Sequence, residues 1–247
     1  MDSRPPSLLV AAAALGDAQA VAARLEQAPG ADASRALMAA AHAGSEACCA
    51  LLIPFSDPSF RSQDGETALM RAAWAGHAGC AAMLMEHCDP LALDFSKASA
   101  LFGAAAAGHS NCVRILLPAS RPLALNDHGD TALIAAARKG HAECVRLLTP
   151  FGGLEIEGGG GQTALQAAAQ RGHAEACAII LRASLAQGSS MEHFKAQSSA
   201  AASLASAKGH PLAAAHILSL AQAIFDQCEL GWQLPAAMAP ACDPHRL

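Results

Sequence analysis

Eleven His and nine Cys in a chain of 247 residues supply enough ligands and nucleophiles for zinc, redox or thiol chemistry, and their spacing decides which of these is feasible. Most of them recur as ladders. Cys48, Cys80, Cys112 and Cys144 stand 32 residues apart, with Cys177 one residue late. His77, His109, His141 and His173 keep the same interval, and His210 follows after a longer gap. Equivalent residues in neighbouring packed helices lie ~8–10 Å apart. A disulfide needs Cα atoms within ~7 Å, and zinc needs its ligands at ~2.0–2.3 Å. One Cys per repeat meets neither demand, so the ladder is read as a small apolar residue filling a buried site on a helix. Two looser groups, Cys80/His87/Cys88 and Cys228/Cys242/His245, depart from this pattern.

Other chemistry is equally poorly supported. Gly158–Gly161 is a run of four glycines, but the Lys-Ser or Lys-Thr of a phosphate-binding loop does not follow it, so it reads as a flexible loop. No nucleophile elbow, kinase catalytic loop or H-E-x-x-H helix is present. The expectation is therefore no catalytic residue, no metal and no cofactor. Unpaired cysteines in such number fit a reducing compartment, which places the protein inside the cell, in the cytoplasm.

The elements that carry these residues are helices. The chain is 53% hydrophobic and 15% charged, with seven Phe, two Trp and no Tyr. Ala dominates, and it is both the best helix former and the smallest side chain that still packs. A net charge of −5 gives no general attraction to nucleic acid or an anionic membrane. Glycines anchor the period: Gly44, Gly76, Gly108, Gly140 and Gly172 stand 32 residues apart, with Gly209 as a sixth. Seven residues before the first five lie Leu37, Leu69, Leu101, Leu133 and Leu165. Thr67, Thr131 and Thr163 stand where an N-cap is wanted. The Gly of each Gly-His ends the first helix in the left-handed conformation. A second apolar helix then follows, as at Cys144, Val145, Leu147 and Leu148. One such pair cannot bury its own apolar face, so the pairs must stack.

The strings GETALMRAAWAGHAGCAAML from Gly65, GDTALIAAARKGHAECVRLL from Gly129 and GQTALQAAAQRGHAEACAII from Gly161 resemble the ankyrin repeat, G-x-T-P-L-H-x-A-A-x-x-G-H followed by V-x-x-L-L. The resemblance spans roughly residues 7 to 220. It implies an all-α solenoid of helix-turn-helix units with projecting finger loops. It also implies that the His ladder fastens the interhelical turn through hydrogen bonds to backbone. The departures are a period of 32 where 33 is usual, loss of the Pro and His of T-P-L-H, and loss of the G-A-D-x-N turn. These predict irregular fingers without tidy hairpins.

The ends are atypical, as solenoid caps are. Ser7–Gly16 reads SLLVAAAALG after Arg4, with Ala18-Gln19-Ala20 beyond it. It reads as the helix of a degenerate first repeat, with a signal peptide as the competing reading. After Leu181 the spacing stretches by five residues, which predicts a longer finger or loop. The division expected is an array of about six to seven repeats over residues 1–222, then a capping segment and disordered tail over 223–247.

Ankyrin arrays are protein-binding scaffolds, so the resemblance implies a non-catalytic scaffold or adaptor. An inhibitory module that blocks a partner enzyme is the alternative, and an unrecognised enzyme a more distant one. The expected partner is a protein, with no nucleic acid or membrane involved and the chain a monomer. Mapped onto the concave face, the candidate contacts are Glu66, Asp130 and Gln162, between the finger Gly and Thr. Trp74, Arg138, Lys139, Gln170 and Arg171, just before the Gly-His turn, join them. These positions vary between repeats while the frame stays fixed, which suits residues that read a partner. Trp74 admits two readings, a binding anchor or a ring lying flat over neighbouring small residues.

Overall fold

The structure is a computed structural model and describes residues 7–25 and 30–229. Two compact units divide it: residues up to Arg121 together with Leu125–Asp127, and Pro122–Ala124 together with His128 onward. The first holds α1 (Leu8–Ala14), α2 (Ala18–Leu25), α3 (Gly30–Ala43), α4 (Glu46–Leu52), α5 (Ala68–Ala75), α6 (Ala78–Met85), α7 (Ala100–Ala107) and α8 (Ser110–Leu116). The second holds α9 (Ala132–Lys139), α10 (Ala142–Leu148), α11 (Ala164–Gln170), α12 (Ala174–Ala186), α13 (Met191–Ala207) and α14 (Pro211–Glu229). Among the described residues no strand forms, so the fold is the all-α helix-turn-helix stack the sequence predicts. The fingers close as irregular turns, for example through Gly65 N–H donating to Ser62 O at 3.0 Å and Ser62 N–H to Glu66 O at 2.9 Å.

Within the first unit, first helices stack on first helices (α1 on α3, α3 on α5, α5 on α7) and second on second (α2 on α4, α4 on α6, α6 on α8). The second unit repeats this with α9 on α11 on α13, and α10 on α12 on α14. The hydroxyls of Thr67, Thr131 and Thr163 accept from the backbone N–H of Met70, Ile134 and Gln166, which satisfies one orphan donor at each helix start. Leu37, Leu69, Leu101, Leu133 and Leu165 are all buried, as are the ladder cysteines.

The His ladder does more than fasten a turn. Each His begins the second helix of its repeat but gives it no side-chain cap. The rings of His77, His109 and His173 reach back to the preceding repeat instead. His77 Nε2 lies 3.0 Å from the carbonyl of His42, and His109 Nε2 lies 3.1 Å from that of Trp74. Those carbonyls end the preceding first helix and have no partner within it. The ring lies over the Gly that follows: a Cβ on Gly76 would sit 2.5 Å from His109 Nδ1, and one on Gly140 2.5 Å from His173 Nδ1. Gly at the turn is thus required twice, for its positive φ and for the ring.

Two expectations about loops are corrected. The stretch after Leu181 is not a longer finger; it lengthens helices, α12 running to Ala186 and α13 taking 17 residues from Met191. In three other repeats Pro54, Pro118 or Pro150 follows the aliphatic pair and converts the helix into a short 3-10 turn. The fifth repeat has Arg182 at this position and its helix continues, whereas the repeat with Glu86 there ends at Met85 without a Pro. The glycine run, read as flexible, is packed in its first half, at Gly158 and Gly159, and open at Gly160 and Gly161. The Asp130 carboxylate occupies the space a Cβ would need at Gly158, the His128 carbonyl does so at Gly159, and Gly161 has a φ of +65°. At the C-terminal side, α14 passes the expected boundary at residue 222 and continues to Glu229; residues 230–247, with the expected tail, lie outside the described residues.

Two outcomes follow from this packing. Leu133, 2% exposed, fills the α9 core position, so Leu133→Ala is expected to cost about 2–5 kcal/mol in urea unfolding; a loss under about half a kcal/mol would remove it from the core. Burial, before any nearby charge, holds the His173 pKa below its usual 6.5. The folded state therefore binds fewer protons than the unfolded chain around and below that pH. His173 contributes stability above about pH 6.5 that is lost as the pH falls through its folded value. The urea midpoint is expected to drop between about pH 7.5 and 5.5, and to drop less in His173→Gln.

Candidate functional site

The residues expected to read a partner turn out to be coupled to one another. Asp130 stands in the finger between Gly129 and Thr131 and is only 5% exposed. Arg138, eight residues on at the end of α9, grips it with both terminal nitrogens, Nη1 to Oδ2 at 2.5 Å and Nη2 to Oδ1 at 2.8 Å. The next repeat makes the same link with neutral groups: Gln162 Nε2 donates to Gln170 Oε1 at 2.8 Å. The corresponding pair in the first unit is Glu66 and Trp74. An indole offers Glu66 no comparable ionic grip, and Glu66 turns to Arg71, with Oε2 2.5 Å from Nε. Small residues, Ala98 and Ala106, hold both places in the third case. Variation at these positions therefore tracks an internal pairing eight residues apart.

Trp74 is 42% exposed, and one part of its ring is fixed. A Cβ on Gly103 of α7 would fall 2.5 Å from Trp74 Nε1. The other repeats of the matching strings carry Arg71, Ala135 and Ala167 at the position of Gly103, so this glycine is where the ring finds room. The indole thus lies over a small residue of the next helix and still offers surface to solvent. Lys139 and Arg171 are exposed at the ends of α9 and α11. Arg138, Gln162 and Gln170 are half-buried in their pairs.

Sequence reasoning missed an apolar feature of the fingers. In the first unit Leu91, Leu93, Leu125 and Phe95 are exposed, Phe95 by 71%. The signal was a repeated string, Pro90–Leu93 and Pro122–Leu125, both reading PLAL. Arg61 ties neighbouring fingers by donating from Nη1 to the carbonyls of Gly65 at 3.1 Å and Leu93 at 2.5 Å.

Five of the buried cysteines are held as thiols. Burial pushes Cys80, Cys88 and Cys112 up, and takes Cys177 to about 12. Cys49, which lies beside the ladder, is also pushed up by burial and pairs with the Cys80 thiol of the next repeat. Thiols so placed are poor nucleophiles and poor metal ligands. In the Cys80/His87/Cys88 group, both thiols are buried and His87 is exposed. Among the described residues no three metal-binding side chains gather, and no helix is long and apolar enough to cross a membrane. The Cys228/Cys242/His245 group falls outside the described side chains.

This geometry agrees with what is known of other proteins. Residues 8–94 and 88–158 match the model of a family described as ankyrin repeats (3 copies). The chain belongs to the ankyrin-repeat family. No curated protein matches it in sequence. Ankyrin repeats are in general protein–protein interaction modules and non-catalytic. The matched span ends at residue 158, yet Thr163 and the Gly172-His173 turn carry the same ankyrin cap and turn beyond it.

The Asp130–Arg138 pair can be checked directly. Arg138→Ala leaves a carboxylate buried without its partner and is expected to cost about 2–4 kcal/mol. Asp130→Ala frees Arg138, whose side chain is 30% exposed, to reach water and is expected to cost less. The double variant should lose less than the sum in urea unfolding. Strict additivity would mean that the pair contributes nothing.

Proposed function

We propose that this ankyrin chain is a non-catalytic scaffold or adaptor that binds a partner protein on the face formed by its fingers and the exposed side of its first helices. The observation that carries this reading is Trp74. An aromatic ring seated against Gly103 and still 42% exposed offers a partner a large apolar surface to cover. The exposed Leu91, Leu93 and Phe95 on fingers of the same unit support it, because solvated apolar groups of this size in one region mark interaction sites. In the second unit the same kind of surface presents Lys139 and Arg171, which suit an acidic patch on a partner.

The pairing described above narrows the contact set. Trp74, Lys139 and Arg171 are the residues this reading relies on. Asp130, Arg138, Glu66, Gln162 and Gln170 shape the surface through their internal bonds. Neither nucleic acid nor a membrane enters the reading, and the chain acts as a monomer in the cytoplasm.

The test begins with affinity capture from the native cell and identification of the bound protein. Trp74→Ala and Lys139→Glu are then expected to weaken its binding about ten-fold or more, with the CD spectrum unchanged. Arg138→Glu is unsuitable, since it would set a second carboxylate against Asp130. Arg146→Glu, on the exposed side of α10, is expected to leave affinity unaltered. Loss of binding in that variant alone would move the interface to the second helices.

A further inference from the structure

The lengthened α12 and α13 enclose something the regular repeats lack. A hollow of about 370 Å³ opens between the loop after α10 and the turn from α12 to α13, lined by Gly153, Leu154, Glu155, Ile156, Ser184, Gln187 and Ser189. Its volume lies at the low end of ligand-sized cavities, about 300–1,000 Å³.

Hydrogen-bond directions around this hollow determine what it presents. Ser184 Oγ is buried and donates to Gln197 Oε1 at 3.2 Å. With its oxygen so used, Gln197 offers its amide protons to Glu155 Oε1 at 2.6 Å and His193 Nε2 at 2.8 Å. His193 Nε2 also lies 3.6 Å from Glu155 Oε1. Since Ser184 spends its proton on Gln197, Ser189 Oγ is the donor across the 2.7 Å contact between the two hydroxyls. Gln187 turns its Nε2 to the carbonyl of Thr149 at 2.7 Å.

Most side-chain groups left over are acceptors: the lone pairs of Ser189 Oγ, Gln187 Oε1, and the carboxylate of Glu155, whose Oε2 makes no bond among the described residues, against the one remaining amide proton of Gln187. A hollow with a carboxylate and further acceptors at its lining suits a cation rich in N–H donors better than an anion. We propose that this hollow is a subsite for an arginine or lysine side chain of a partner protein. The proposal rests on the reading of the chain as a protein-binding module, and it adds a contact point away from the first helices, with a stated chemistry.

The experiment uses the whole chain, labelled with ¹⁵N, and three capped tripeptides, Ac-Gly-Arg-Gly-NH₂, Ac-Gly-Lys-Gly-NH₂ and Ac-Gly-Glu-Gly-NH₂. The arginine or lysine peptide is expected to shift, saturably, the amides of residues 153–156 and 184–190, and the glutamate peptide to leave them in place. Glu155→Gln, at an exposed position that the fold tolerates, should weaken that binding about two- to five-fold. Glu157→Gln removes the same charge from a neighbouring residue that does not line the hollow, and should leave binding unchanged. Equal weakening by the two variants would reduce the effect to diffuse attraction and overturn the proposal. So would shifts from the glutamate peptide, or no shift from either cationic peptide. Binding of free agmatine without binding of the arginine peptide would make the hollow a small-molecule site instead. These outcomes are read at residues 153–190 only, so their failure is distinct from failure of the Trp74 and Lys139 variants.

Discussion

The stack depends on a His ring lying on the glycine of the preceding repeat. That one contact does three things at once. It fills the space above the turn, it gives a hydrogen bond to a helix-terminal carbonyl that its own helix cannot satisfy, and it fixes the distance from one repeat to the next. A side chain on the glycine would collide with the ring, and the positive φ there already disfavours any other residue. Two residues in each repeat are thereby locked together although their sequence separation is large. The contact survives a change of interval, since the His210 ring lies over Gly172 across the lengthened helices.

Around that frame the variable positions are less independent than they look. Residues that change from repeat to repeat in a fixed scaffold invite the reading that each is free to meet a partner. The structure shows a second cause of variation, because Asp130 changes with Arg138 and Gln162 with Gln170, each satisfying the other across the finger and the helix end. Where the helix position became Trp74, Glu66 found a different partner in Arg71. What remains available is the part of the surface that no internal bond consumes: the outer side of an indole seated on Gly103, exposed finger leucines and Phe95, and the cations Lys139 and Arg171. That remainder is apolar in one unit and basic in the other.

The departure from the period has a structural consequence of its own. Where three repeats have a Pro after the aliphatic pair, α12 has Arg182 and runs on, and the extra turns bring Ser184, Gln187 and Ser189 close to Glu155 of the preceding loop. A regular repeat ends too early to build such a polar cluster. The added residues produce a recess where the sequence suggested only a longer loop.

The sequence by itself determined the parts of this protein that are local or periodic. Helix starts at Thr67, Thr131 and Thr163, left-handed turns at the Gly of Gly-His, burial of the Leu and Cys ladders, and membership of a repeat family each follow from a residue type at a fixed spacing, and backbone sterics and burial act at that range. The tertiary structure decided what each side chain touches. That His109 serves the carbonyl of Trp74, that Arg138 is spent on Asp130, that Gly103 makes room for an indole, and that Gln197 orients the donors around Glu155 are matters of direction across neighbouring repeats. Spacing along the chain carries no such direction, because a side chain's partner is set by the helix face it occupies and by which atoms of the next repeat arrive opposite it.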